Sequence, residues 1–292
     1  MNPEARGVTP ALIRVVHAAL EARFKLESDE TRARDSAIAT ARSAAESGAE
    51  LVIAFGGDGL VNEVVNGIAG TDTILGVIPG GTMNVFARNI GLSRDPLVAT
   101  DFILQAADAR PPKEISLAQA NDRLFTFACG CGFDAEAALR AESHKASKRR
   151  FGEPYFYASA IAVFLKSYFD REPYLLCEGP FGRRDAVMAI ALNLGAYAYL
   201  AGRPLRLAGN VRSGTEMDAF ILRRLKYSQV PAYAIGALLT GRFGRDAKVY
   251  RDVEEFRVTA PLPFAIHVDG EPLPAVESVE IRSAAAKVHV VA

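Results

Sequence analysis

The sequence predicts a two-part α/β protein. An N-terminal domain with a doubly wound parallel sheet covers residues 1–112, and a mostly antiparallel, β-sandwich-like domain covers residues 113–292. Three observations carry this. The runs Leu51-Val52-Ile53-Ala54-Phe55 and Ile74-Leu75-Gly76-Val77-Ile78 are short, continuously apolar and separated by a stretch of helical spacing. Strands of that kind are buried on both faces and pair in parallel through helical crossovers. After Pro111-Pro112 the texture changes to short strand-like runs broken by Gly, Pro and Asp, the pattern of antiparallel pairing. Finally, 292 residues at 50% apolar content suffice for two cores.

In chain order, Leu12, Val15, Val16, Ala19, Leu20 and Phe24 fall at helical spacing between Pro10 and Phe24. An alanine-rich helix follows from about Asp35 to Ser47 and stops at Gly48. The strand Leu51–Phe55 turns at Gly56-Gly57 into a helix over Leu60–Ile68, and the strand Ile74–Ile78 completes the βαβ unit. Pro79-Gly80-Gly81 leads into a helix ending at Gly91, and Pro96 opens another reaching about Ala107. In the second part, strand-like runs occupy Leu124–Cys129, Val187–Leu194, Ala219–Leu222, Phe256–Thr259, Phe264–Val268 and Val288–Val291. Tyr155–Phe169 interrupts them as an aromatic helical segment, preceded by the basic run Lys145, Lys148, Arg149, Arg150.

Charge excludes a class of partners. Thirty-four Lys and Arg balance 34 Asp and Glu, so no global field recruits nucleic acid. Cys129, Cys131 and Cys177 are too few for a disulfide framework, which fits a reducing, cytoplasmic setting. The first residues carry no signal-peptide pattern, and no apolar stretch reaches the roughly 18 to 20 residues of a membrane span. The four histidines lack metal-ligand spacing, and we assign no metal ligands.

Phe55-Gly56-Gly57-Asp58-Gly59-Leu60-Val61-Asn62-Glu63 sits where a strand becomes a helix, so glycine amides and a helix N-terminus are available to an anion. A carboxylate beside phosphates repels them unless a divalent cation is shared, which makes Asp58 point to a magnesium nucleotide. A tight turn with Asp58 as helix cap is the alternative. Pro79-Gly80-Gly81-Thr82 occupies the same place after the neighbouring strand. Two such loops at the carboxyl ends of adjacent parallel strands converge on one crevice, where open α/β sheets bind ligands. His267-Val268-Asp269-Gly270-Glu271 reads as a hairpin turn with two acidic groups. Gly130-x-Gly132-x-x-Ala135 matches a dinucleotide fingerprint by letter, but no second parallel strand follows it, and we read these as turn and packing glycines.

Taken together, Gly56-Gly57-Asp58-Gly59 with Asn62-Glu63-Val64, Pro79-Gly80-Gly81-Thr82-x-Asn84-x-Phe86-Ala87-Arg88, Asn2-Pro3, Gly130-Cys131-Gly132-Phe133-Asp134-Ala135, Gly152 with Tyr155, and Asp269-Gly270-Glu271 resemble the diacylglycerol kinase catalytic-domain family, in its soluble bacterial lipid-kinase branch. The resemblance implies a nucleotide domain of the NAD-kinase and lipid-kinase type, a β-rich lipid domain, and ATP-dependent phosphorylation of a lipid hydroxyl with Mg2+. By position, it implies that Gly56, Gly57, Asp58, Gly59, Leu60, Val61, Asn62, Glu63 and Thr82 contact ATP, with Thr31 as a weaker contributor. It implies that Asp269 accepts the hydroxyl proton with Glu271 beside it. The expected product is phosphatidic acid from diacylglycerol, a step of phospholipid biosynthesis. The expected setting is the inner face of the cell membrane, touched transiently through anionic lipid by the Lys145–Arg150 run; a homodimer is compatible with this.

Departures keep rivals open. Leu60 replaces the usual threonine, as in sphingoid-base and ceramide kinases, and Val85 replaces a common aspartate. Ser213-Gly214 stands where many bacterial relatives have an Asp-Gly pair that helps hold a structural magnesium, so that site is not carried over. The family has a strand before Asn-Pro, whereas only Met1 precedes Asn2, so an upstream strand is expected to complete the sheet. NAD kinase and a non-catalytic nucleotide or lipid binder are the remaining alternatives.

Overall fold

Thr9 and Pro10 open the first helix as helix starts are built. The Thr9 hydroxyl accepts the Leu12 N–H at 3.2 Å, and proline occupies the first turn, where its missing N–H costs nothing. This helix, α1 (Pro10–Glu21), buries Val16 and Leu20. The computed structural model describes residues 1–106, 111–144, 151–169, 171–208, 216–229, 233, 236 and 243–292. By internal contacts the chain divides into two units, Met1–Ile115 with Ala286–Ala292, and Ser116–Ala285.

The first unit continues with α2 (Ser36–Glu46), β1 (Leu51–Gly56), α3 (Asp58–Ile68), β2 (Ile74–Pro79), α4 (Val85–Asn89) and α5 (Pro96–Ala106). β1 and β2 pair in parallel from Leu51 opposite Ile74 to Gly56 opposite Pro79. Their core joins Val8, Val16, Leu20, Phe55, Ile78, Ile103, Ala106 and Val291. Each fully buried large aliphatic or aromatic side chain contributes about 1.5–3 kcal/mol, so this cluster fixes where both strands end. That end point is where the glycine loops leave the sheet.

In the second unit the described strands include β4 (Arg123–Phe125), β5 (Ala128–Gly132), β6 (Leu175–Gly179), β7 (Gly182–Ala186), β8 (Met188–Leu192), β9 (Ala198–Leu200), β10 (Arg203–Leu205), β11 (Met217–Leu222), β12 (Ala247–Val253) and β13 (Glu255–Val268). β3 (Lys113–Ala120) runs from one unit into the other. α6 (Phe133–Ser143) follows β5, and a second helix, Glu153–Val163, passes into a π-helical turn at Phe164–Tyr168. The last strand, β14 (Glu271–Val290), pairs antiparallel with β13; β13 pairs with β5, β5 with β8, β8 with β11 and β11 with β12, all antiparallel. The architecture is therefore an α/β unit and an antiparallel β-rich unit, as the hydrophobic patterning predicts.

Four details differ from the sequence expectation. The run Leu124–Cys129 is not one strand but breaks at Thr126-Phe127, whose backbone N–H groups turn toward a distant carboxylate. Phe256–Thr259 and Phe264–Val268 belong to a single strand whose register shifts between Thr259 and Phe264, around Pro261 and Pro263. Val288–Val291 does not end an antiparallel sheet: His289 and Val290 pair in parallel with Ile74 and Leu75 of β2. The division between units consequently falls after Ile115, and the final residues return to the first unit rather than closing a 113–292 domain.

Candidate active site

In the first unit the backbone builds the site. β1 ends at Gly56, and Gly57 is the N-cap of α3, in extended conformation with no side chain to close the first turn. β2 ends at Pro79, and Gly80-Gly81-Thr82-Met83 leads to Asn84, whose φ of 48° starts α4. The two loops are bonded together. The Gly80 N–H donates to the Gly56 carbonyl at 2.7 Å, and the Gly7 N–H donates to the Gly80 carbonyl at 2.7 Å. A Cβ on Gly81 would stand 2.5 Å from the Gly57 Cα, closer than real contacts permit, so glycine is obligatory here. Asn84 closes the second loop, its Oδ1 accepting the Gly81 N–H at 2.9 Å and its Nδ2 donating to the Gly81 carbonyl at 3.0 Å. Asp58 links the loops from the side, its Oδ1 accepting the Phe86 N–H at 3.0 Å.

This geometry redistributes the roles expected of the first loop. Gly57, Asp58 and Gly59 are half-buried and Thr82 is too, so the α3 N-terminus and Thr82 reach solvent. The Leu60 and Val61 side chains point into the core, Leu60 against Gly56. Asn62 is fully buried and accepts from the Asn66 side-chain amide at 2.8 and 3.2 Å. Glu63 caps another helix, its Oε2 accepting the Ala37 N–H at the start of α2 at 3.0 Å. The side chains of Leu60, Val61, Asn62 and Glu63 thus pack inside or cap a helix, and the α3 N-terminus presents its backbone amides beside Asp58. Thr31 lies before α2, its N–H donating to the Met1 carbonyl at 2.8 Å.

The second unit carries the other half of the predicted residues. β13 turns into β14 through Asp269 and Gly270 at φ 49° and 80°, the left-handed pair a two-residue hairpin requires. Asp269 is 3% exposed. Its Oδ2 accepts from the Thr126 N–H at 2.8 Å and the Thr126 hydroxyl at 2.9 Å, and its Oδ1 accepts from the Phe127 and Ala128 N–H groups at 2.9 and 3.1 Å. Its own N–H donates to the Ala128 carbonyl. A general base must come within hydrogen-bond reach of the proton it takes. In this structure the Asp269 carboxylate, expected as the base, is buried and held by four donors, so it anchors the turn. Glu271, half-buried at the head of β14, is the carboxylate of the motif that reaches the surface.

A third cluster escaped the sequence reading of roles. Buried His267 places Nε2 2.6 Å from Asp134 Oδ2, while its Nδ1 accepts the Gly270 N–H at 3.2 Å. Asp134 also accepts a short hydrogen bond from the Tyr197 hydroxyl. Burial first, then the Asp134 charge, pushes the Tyr197 phenol well above its usual range, so it stays a donor. A Cβ on Gly130 would lie 2.1 Å from Asp134 Oδ2 and 2.4 Å from His267 Nε2, which makes it a packing glycine as expected. The one signal in the sequence is that pair, a glycine two residues before a Gly-Phe-Asp and a histidine two residues before Asp269. The basic run Lys145–Arg150 and Ser213-Gly214 lie outside the described residues.

The profile of the diacylglycerol kinase catalytic domain matches residues 1–112. Those residues are similar to the diacylglycerol kinase catalytic-domain family. Beyond the matched domain, a diacylglycerol kinase of Bacillus subtilis (strain 168) is 27% identical over 266 residues, covering 89% of this chain and 84% of that protein. The chain shares its fold with the crystal structure of a diacylglycerol kinase from Bacillus anthracis str. Sterne, at TM-score 0.68, 19% identity and coverage of 98% and 93% of the two chains. An NAD kinase from Archaeoglobus fulgidus in complex with ATP has the same fold more distantly, at TM-score 0.54, 10% identity and coverage of 97% and 90%. These likenesses imply an enzyme of the lipid-kinase kind, for which ATP is the expected phosphate donor.

Proposed function

We propose that this lipid kinase transfers the γ-phosphate of Mg-ATP to the hydroxyl of diacylglycerol, giving phosphatidic acid. The observation that carries the reading is the bonded pair of glycine loops, with the α3 N-terminus uncapped by any side chain at the end of β1. Helix N-termini of this kind favour phosphate through oriented amides and the helix dipole. Phosphoryl transfer needs little else beyond positioning and charge stabilisation.

Magnesium fits this arrangement in one way. Among the described residues no group of three or more His, Cys, Asp or Glu could hold a metal. Mg2+ in kinases is held by one or two carboxylates together with substrate phosphates, so it would arrive with the nucleotide and lean on Asp58. It would neutralise phosphate charge. On the acceptor side, Glu271 takes the hydroxyl proton, because Asp269 is committed to the turn. Leu60 does not argue for a sphingoid-base or ceramide substrate by contact, since its side chain packs inside the first unit.

A peripheral membrane habit fits the same reading. Ile161, Leu165 and Phe169 are 59%, 60% and 61% exposed and follow one another at four-residue steps along the Glu153–Val163 helix and its π-helical extension. Lys166 is exposed beside them. Apolar side chains of this size bind the headgroup boundary, and neighbouring cations add roughly 1 kcal/mol each on anionic lipid. Among the described residues no helix is long and apolar enough to cross a membrane. The test is a radiolabelled-ATP assay against diacylglycerol, ceramide, sphingosine, undecaprenol and NAD, each lipid in vesicles with and without anionic phospholipid. Preferred labelling of diacylglycerol is expected; preferred labelling of ceramide, sphingosine or NAD would overturn the substrate.

A further inference from the structure

The turn that presents Glu271 is held from two sides. On one side is Asp269, locked by the amides of Thr126, Phe127 and Ala128. On the other is Gly270, whose N–H donates to His267 Nδ1. An imidazole nitrogen that accepts cannot carry a proton, so that bond needs His267 neutral with its proton on Nε2. Nε2 faces Asp134 Oδ2 at 2.6 Å, and a carboxylate there selects the same tautomer by accepting the proton. Asp134 is itself fixed by the Tyr197 hydroxyl and sits in the first turn of α6, where the helix end favours an anion. Gly130 leaves the space in which the two side chains meet.

We propose that His267 is a positioning residue for Glu271, oriented by Asp134 and acting through the Gly270 N–H. His267 does not touch substrate in this scheme: it is 2% exposed and both ring nitrogens are engaged. What it supplies is direction. Glu271 follows Gly270 immediately, so the Gly270 peptide plane sets where the Glu271 backbone starts, and a displacement of about 1 Å in a reacting group costs on the order of 10²-fold in rate. The proposal rests on the reading that Glu271 is the base, and its test separates the two.

Two substitutions divide the histidine's two bonds. In His267→Asn the side-chain oxygen sits where Nδ1 was and can still accept from Gly270, but the donor to Asp134 is gone. In His267→Gln the amide nitrogen reaches toward Asp134 while the acceptor for Gly270 is lost. We expect His267→Asn to keep kcat within about threefold and His267→Gln to lower it about tenfold or more, with KM for ATP unchanged in both. The exchange rate of the Gly270 amide, measured by NMR, should stay slow in His267→Asn and rise in His267→Gln. Equal kcat losses with equal Gly270 exchange would overturn the proposal. Should neither variant fold, the wild-type protein decides alone: 15N shifts of the His267 ring must report a neutral imidazole protonated at Nε2, and a proton at Nδ1 would overturn it. If Glu271→Gln keeps the wild-type rate, the base assignment fails, and Gly270 exchange still decides whether His267 holds the turn.

Discussion

The two acidic glycine turns look alike in sequence and are built on opposite principles. At Gly57-Asp58-Gly59 the backbone is the instrument: side chains face the core or brace the loop, and the first-turn amides are left without a side-chain cap. At Asp269-Gly270-Glu271 the backbone is already satisfied, and a buried carboxylate spends both oxygens on holding three amides and a hydroxyl. The first turn is a donor surface waiting for an anion. The second is a rigid mount for one side chain. An aspartate in a motif is therefore assigned by counting what its oxygens already accept.

The largest expected effect tests the mount. Glu271→Gln should lower the single-turnover rate by about 10²-fold or more with the ATP dissociation constant nearly unchanged. Rapid-quench kinetics beside calorimetric titration of ATP checks it, and a matching loss of ATP affinity would erase the distinction between the turns. Next, Asp269→Asn replaces a buried charged acceptor and strands several donors, so stability should fall by about 3 kcal/mol, read from urea unfolding. Asp58→Asn, half-exposed and with one backbone bond at Phe86, should cost well under half of that while weakening Mg-ATP binding. Reversal of the two stability values would show that Asp58, not Asp269, is the anchor.

Smaller effects sharpen the donor side. Gly81→Ala pushes a methyl against the Gly57 backbone, and the loops must part to admit it. ATP affinity should drop about tenfold by equilibrium titration, with the lipid KM unaffected. The smallest change is Glu63→Ala, which removes the acceptor for the Ala37 N–H and should cost about 1 kcal/mol of stability without altering ATP affinity. A tenfold loss of affinity there would restore Glu63 to the ligand set.

The first unit is legible because its signals are local. The apolar runs before Gly56-Gly57 and Pro79-Gly80-Gly81 announce buried parallel strands, and the helix between them follows from spacing. What sequence hides is set by partners far away in the chain. The break in Leu124–Cys129 comes from Asp269, which lies more than 140 residues beyond it and draws the Thr126 and Phe127 amides out of the ladder. The same bonds make Asp269 an anchor of the turn, a role that its local motif does not show. The prolines at 261 and 263 suggest a strand end, yet β13 absorbs them in a register shift. His267 carries no more signal than its place two residues before Asp269, since its role comes from Asp134 and the Gly270 amide.

The return of β14 to the first unit has a consequence for how the chain is made. Val290 pairs with Leu75, and the Val291 N–H donates to the Leu75 carbonyl, so the edge of β2 is filled by residues translated only after the whole of Ser116–Ala285. At 5–20 residues per second, the ribosome needs on the order of 10 to 30 s to synthesise Ser116–Ala285. Throughout that interval the nascent first unit carries an open strand edge, a template for pairing with another chain. The first unit is therefore sealed only after the second has been made, and a ribosome stalled before His289 releases a chain that lacks the β14 residues pairing with β2.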